Sequence, residues 1–140
     1  MRRHARAGYW SMLLTAWLLL LAGLGLLIVP QQALSLIAGF GAAAAQTPLT
    51  VVLLQLLGAV YFGFGAMNWM ARGQILGGIY GRPICLGNLF HFAAGTILLA
   101  INIATGVESL GILITAAVYL LLCLIFIRLT FRMPSIAEHL

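Results

Sequence analysis

The sequence predicts an all-α integral membrane protein: four transmembrane helices in a single domain, residues 1–140, with both termini cytoplasmic. A short interfacial or re-entrant segment is expected between the first and second helices. Three observations lead there. Hydrophobic residues make up 64% of the chain and charged residues 6%, whereas a soluble domain carries about 25% charged residues. So few charges cannot wet a globule, and disordered chains are poor in apolar residues. Second, the apolar residues gather in four runs, each close to the roughly 20 residues that cross about 30 Å of hydrocarbon. Third, all seven basic residues are arginines, and a four-span layout puts them on one side or at its boundary.

The runs lie at about 11–29, 49–70, 84–105 and 109–129. Pro30 closes the first. Arg2, Arg3 and Arg6 precede it as they would a secretory signal, but the apolar stretch Met12 to Val29 exceeds the roughly 7–15 residues of a signal core. No small-residue cleavage site follows promptly, and the alanines Ala42 to Ala45 come too late, so the segment reads as a retained span. Pro48 opens the second run, which ends at Ala71, Arg72 and Gly73. Pro83 opens the third, which stops at Gly106, and Pro134 lies beyond the fourth. Proline is tolerated in a first helical turn because its missing N–H would have no partner there. Thr47 and Ser109 are the expected N-caps of the second and fourth helices. The short turn Gly106 to Glu108 makes the last two helices an antiparallel hairpin.

With four spans, the chain ends share a side with the loop between spans two and three. That side holds Arg2, Arg3, Arg6, Arg72, Arg82, Arg128 and Arg132; the other side has no basic residue and the single acid Glu108. Cytoplasmic loops carry the positive excess, which predicts cytoplasmic termini, and Tyr9, Trp10 and Trp69 fall at the inner interface where amphipathic rings settle. The basic balance is then a topology signal that also attracts anionic headgroups. The charges are split among three short segments with no basic stripe interleaved with aromatics, so nucleic acid is not an expected partner. Between spans one and two, Ala33 to Ala45 is apolar but too short to cross. It reads as an interfacial helix or as a re-entrant segment lining a cavity.

Lipid tails are as apolar as leucine, so helices associate in the bilayer through small residues and interhelical hydrogen bonds. The candidates are Gly58, Ala59, Gly63, Gly65 and Ala66 in span two, Gly87, Ala93, Ala94, Gly95 and Ala100 in span three, and Gly111, Ala116 and Ala117 in span four; Ala59 with Gly63 and His91 with Gly95 are each four residues apart. Span one is leucine-rich and is expected to face lipid, with Gly23 and Gly25 meeting the stretch Gly39 to Gly41.

Few polar groups lie inside the spans, and in hydrocarbon each needs a partner. Asn68 lies near the cytoplasmic end of span two with Arg72 one turn on; Asn88 and His91 share a face of span three. Counted from Pro83, they sit roughly 7–12 Å below the inner interface, level with Asn68 and with Phe64 and Gly65, the glycine leaving space for a ring. A polar cluster is therefore expected where spans two and three enter from the cytoplasm: Asn68, Arg72, Tyr80, Arg82, Asn88 and His91. It supports two readings. In one, Asn88 bonds Asn68, His91 bonds a backbone carbonyl or Tyr61, and the arginines snorkel. In the other it is a ligand pocket for a lipid headgroup or a quinone-like ring, with His91 the titratable group at depth. The loop glycines Gly73, Gly77, Gly78 and Gly81 lack the lysine of a phosphate loop.

Other chemistries find little support. Cys85 and Cys123 lie on different helices without a closely spaced zinc or redox motif. His4 and His139 are in the tails, so a bis-histidine haem has only His91 within the membrane. Glu108 and Glu138 fall on opposite sides and cannot act as paired carboxylates. No metal site and no resident cofactor are expected, with quinone or lipid the ligands to consider.

The layout, with Gly23, Gly25 and Pro30 ending span one and the glycine/aromatic run Gly58 to Gly65 in span two, resembles the DoxX-like group of small bacterial four-span membrane proteins. The resemblance covers most of the chain, its most distinctive stretches being Asn68 to Arg72 and Gly77 to Pro83. It implies an accessory or subunit-like role. Small multidrug transporters are similar in span count, but they use a carboxylate in the first span, where this chain has none. Three functions follow in order: an inner-membrane accessory or scaffold protein associating with a partner membrane protein or itself; a lipid- or quinone-interacting protein, including a small enzyme, with its site at the cluster; and a small dimeric transporter.

Overall fold

The computed structural model describes residues 2–39, 47–73, 81–107 and 109–132. Among them every regular element is a helix: α1 (Arg2–Ile28), α2 (Pro30–Ala38), α3 (Pro48–Ala71), α4 (Gly81–Ala104) and α5 (Leu110–Arg132). Four of these, over Gly8–Ile28, Pro48–Ala71, Gly81–Ala104 and Leu110–Phe131, are long and apolar enough to cross a membrane.

Local chemistry sets the helix ends. Val29 leaves the helical conformation and Pro30 restarts the chain as the first residue of α2. Thr47 Oγ1 accepts the Thr50 N–H at 3.3 Å and Ser109 Oγ accepts the Ile112 N–H at 3.1 Å, so both expected caps form. After α4, Gly106 adopts φ +90, a left-handed conformation open to glycine, and Val107 N–H donates back to Asn102 O at 3.0 Å.

The tightest pair is α1 with α3. Leu27 pairs with Gln55, whose Nε2 donates to the Leu27 carbonyl at 3.2 Å; Gly23 faces Gly58 and Phe62; Ala16 and Leu20 face Gly65; and Trp17 meets Trp69. Numbers rise on one helix as they fall on the other, so the pair is antiparallel. A Cβ added at Gly23 would lie 2.7 Å from Phe62 N, and one at Gly58 would lie 2.9 Å from Gly23 O. The two backbones touch there, as small residues permit in lipid.

Here three expectations are corrected. Helix α1 is the most enclosed of the four long helices, with 33% of its most apolar stretch buried against 11% for α3. Leucine content could not reveal this, because a leucine against protein and a leucine against lipid have the same apolar neighbours. Gly23 packs on α3 and a Cβ added at Gly25 would meet nothing within 4 Å, while Phe40 and Gly41 lie outside the described residues. Ala59 and Gly63 are exposed, and the close-approach face of α3 is Gly58 and Gly65.

Helices α4 and α5 form the second strongly packed pair, and α2 docks on α1, α3 and α5. A Cβ at Gly111 would lie 2.3 Å from Leu36 O and 2.5 Å from Ile37 O, and Ser109 Oγ donates to the Ile37 carbonyl. The helical part of the segment after span one is 9 residues, about 13 Å at ~1.5 Å per residue, too short to cross. The core lies among α1, α4 and α5: Met12, Leu19, Cys85, Phe92, Leu122, Cys123 and Phe126, with Phe92 and Phe126 stacked at 5.7 Å.

Candidate functional site

Two polar layers lie one above the other between α3 and α4. In the outer layer Asn68 and Asn88, both fully buried, face each other. Asn68 Nδ2 donates to Asn88 Oδ1 and Asn88 Nδ2 donates to Asn68 Oδ1, each at 2.9 Å. The second hydrogen of each amide goes to its own helix, to Phe64 O and Ile84 O respectively, again at 2.9 Å. An asparagine amide has two donor hydrogens, so neither residue has one left for a ligand. Such a bond contributes about 0.6–2 kcal/mol to helix association in a bilayer.

The inner layer is aromatic. His91 lies beside Tyr61, Phe64, Phe92 and Tyr119, with ring centroids 5.5, 5.4, 5.0 and 5.6 Å away. Its Nε2 is 3.4 Å from the Tyr119 hydroxyl, which in turn bonds the Tyr61 hydroxyl. A Cβ at Gly95 would fall 2.3 Å from the Tyr119 ring, so this glycine, one turn from His91, receives the tyrosine. The chain of three groups can point two ways. With Tyr61 donating to Tyr119 and Tyr119 to His91, the imidazole is neutral and accepts at Nε2; with His91 donating, both hydroxyl protons turn and the Tyr61 proton points outward.

The depths differ from the sequence estimate. Helix α4 begins at Gly81, two residues before Pro83, so Asn88 lies about 10 Å and His91 about 15 Å along it at ~1.5 Å per residue. His91 thus sits near the middle of its span. Two further expectations are corrected. The space at Gly65 is filled by Leu20 and Ala16 of α1, not by the His91 ring. His91 finds its hydrogen-bonding partner in Tyr119 on α5 and meets Tyr61 only ring to ring. Tyr119 escaped the sequence reading because tyrosine counts as apolar in a hydropathy run. Depth counting brings it only into range: Tyr61, ten residues before Ala71, is level with His91, while Tyr119 lies about 14 Å from the start of α5 and His91 about 20 Å from the adjoining end of α4, a gap that the length of a tyrosine side chain spans.

The arginines take other places. Arg72 ends α3, with its guanidinium carbon 4.2 Å from the Trp69 ring centroid and Nη1 donating to the Trp69 carbonyl. Arg82 is exposed at the start of α4, and Tyr80 lies outside the described residues. The structure therefore joins Asn68 with Asn88, sets His91 one layer deeper, and turns Arg72 toward Trp69. Cys85 and Cys123 are buried free thiols, and the described residues contain no group of three metal-ligating side chains. Comparison with protein-family models, curated proteins and solved structures gives no match for this chain.

Proposed function

We propose that this chain is an accessory or scaffold protein of the bacterial cytoplasmic membrane, with both termini cytoplasmic, associating through α3 with a partner membrane protein or with itself. The observation that carries this reading is a contrast among small residues. Gly58 and Gly65 are filled by α1, whereas Ala59 and Gly63, on another face, are exposed, and a Cβ at Gly63 would meet nothing within 4 Å. A small-xxx-small pair left open to lipid is the surface on which a further helix can approach closely. The closed Asn68–Asn88 pair agrees with this, since its donor hydrogens are all engaged, two of them in bonds between α3 and α4. The arginine distribution supports the orientation, and the resemblance to DoxX-like proteins points to the same accessory role.

Gly63→Leu tests the reading. In native membranes, cross-linking should trap the wild type with a partner or a second copy, and the variant should lose that product while unfolding normally in detergent. Wild-type protein that is strictly monomeric, or a variant that still cross-links, would overturn it. A C-terminal fluorescent-protein fusion should be fluorescent and an alkaline-phosphatase fusion inactive; the reverse would overturn the orientation.

A further inference from the structure

We infer that the groove between α1 and α3 at the Arg72 end is a binding site for an anionic phospholipid. One acyl chain would lie along the groove, with the phosphate on the Arg72 guanidinium. The groove has a volume of about 240 Å³, is open along one side, and is lined by Trp17, Leu20, Ala66, Trp69 and Met70, all apolar. That is below the roughly 300–1,000 Å³ that encloses a compact drug-sized ligand, and an open trough suits a slender chain. Trp17 and Trp69 meet edge to face at 5.4 Å, which sets a rigid aromatic wall. The lining residues of α3 fall within about 8 Å of the helix end at ~1.5 Å per residue, so the groove belongs to a single leaflet.

Charge selects the occupant. Arg72 follows α3 directly, and its guanidinium lies over the ring of Trp69, one of the residues that line the groove. Stacking on Trp69 and the bond to the Trp69 carbonyl hold the guanidinium in place, and among the described residues its other N–H groups engage no partner. A guanidinium carries five donors in a fork that matches phosphate geometry. An apolar trough with an oriented cation stacked on its Trp69 wall is complementary to a phospholipid, whose tail and phosphate are joined. The groove adjoins the association face, because Ala66 and Met70 continue the stripe of Ala59 and Gly63 at helical spacing; lipid preference in Arg72→Gln reads the one proposal and cross-linking in Gly63→Leu reads the other, so their failures are distinguishable.

The test uses the full chain in detergent, read by native mass spectrometry after addition of phosphatidylglycerol or phosphatidylcholine. Wild-type protein should retain the anionic lipid preferentially. Arg72→Gln should lower that preference about fivefold, the worth of one arginine at an anionic surface. Ala66→Phe, which fills the trough and leaves Arg72 in place, should reduce retention of both lipids. Excess inorganic phosphate should not displace the bound lipid. Equal retention of the two lipids by the wild type, a preference unchanged in Arg72→Gln, retention unchanged in Ala66→Phe, or displacement by phosphate alone would each overturn the proposal.

Discussion

Helices α1 and α3 meet backbone against backbone, and helices α4 and α5 meet with a tyrosine ring between them. In the first pair three glycines, Gly23, Gly58 and Gly65, each face main-chain atoms of the other helix at distances that leave no room for a Cβ. In the second, Gly95 faces the Tyr119 ring, whose far end carries a hydroxyl on to His91 and Tyr61. The same residue type thus serves two purposes. Between α1 and α3 it allows proximity, and the contact is specified by shape. Between α4 and α5 it makes room for a polar side chain that reaches across to α3. In a medium where apolar burial distinguishes nothing, shape and hydrogen bonds are the two remaining means of specifying a partner.

Substitutions should separate the two kinds of contact. The largest effect is expected for Gly58→Leu. Its new side chain would meet the Gly23 carbonyl and Leu27 N–H, backbone atoms that cannot move aside, and overpacking of this kind costs about 1–3 kcal/mol or more. Detergent unfolding should show this loss, with Gly25→Leu, where the space is open, as the unaffected control. Equal behaviour of the two would mean that α1 and α3 do not touch as described. Next comes Asn88→Leu, which leaves the Asn68 amide buried without its partner and should destabilise by about 1–3 kcal/mol. The Asn68→Leu/Asn88→Leu double variant should recover part of that loss. A double-mutant cycle measures the coupling, and additive losses would show that the two amides do not act as a unit. The smallest effect belongs to Tyr119→Phe, which keeps the ring over Gly95 and removes two hydroxyl contacts. About 1 kcal/mol should be lost. A loss as large as that of Gly58→Leu would place the hydroxyl, not the ring, at the centre of the α4/α5 pairing.

The sequence made some of this legible and hid the rest, for physical reasons. Run length, prolines at 48 and 83 and the hydroxyls of Thr47 and Ser109 act locally, so the four long helices and two of their caps could be read from neighbouring residues alone. The approach of Asn68 to Asn88 followed from counting depth on two antiparallel spans. Which side of each helix faces inward did not follow. In a soluble bundle the polar face marks the outside, but here Leu19, at the core, and Leu21, on the exposed surface, are the same residue two positions apart. The rotation of α1, the use of Gly65 and the role of Tyr119 all depend on that missing mark. Arg72 was expected just past the end of α3, where it lies, yet its turn toward Trp69 depends on ring geometry that spacing does not encode.

The bond from Ser109 to the carbonyl of Ile37 joins residues 72 positions apart. Carbonyls in the last turn of a helix have no acceptor role within it, so the end of α2 waits for a donor that the chain supplies only when its final hairpin arrives. Until then α2 has neither Ser109 to hold it nor the Gly111 surface against which it rests. The order of synthesis therefore enters the assembly: a short helix that can already rest on α1 and α3 receives its last contacts, from Ser109 and Gly111, only once the final span has been made.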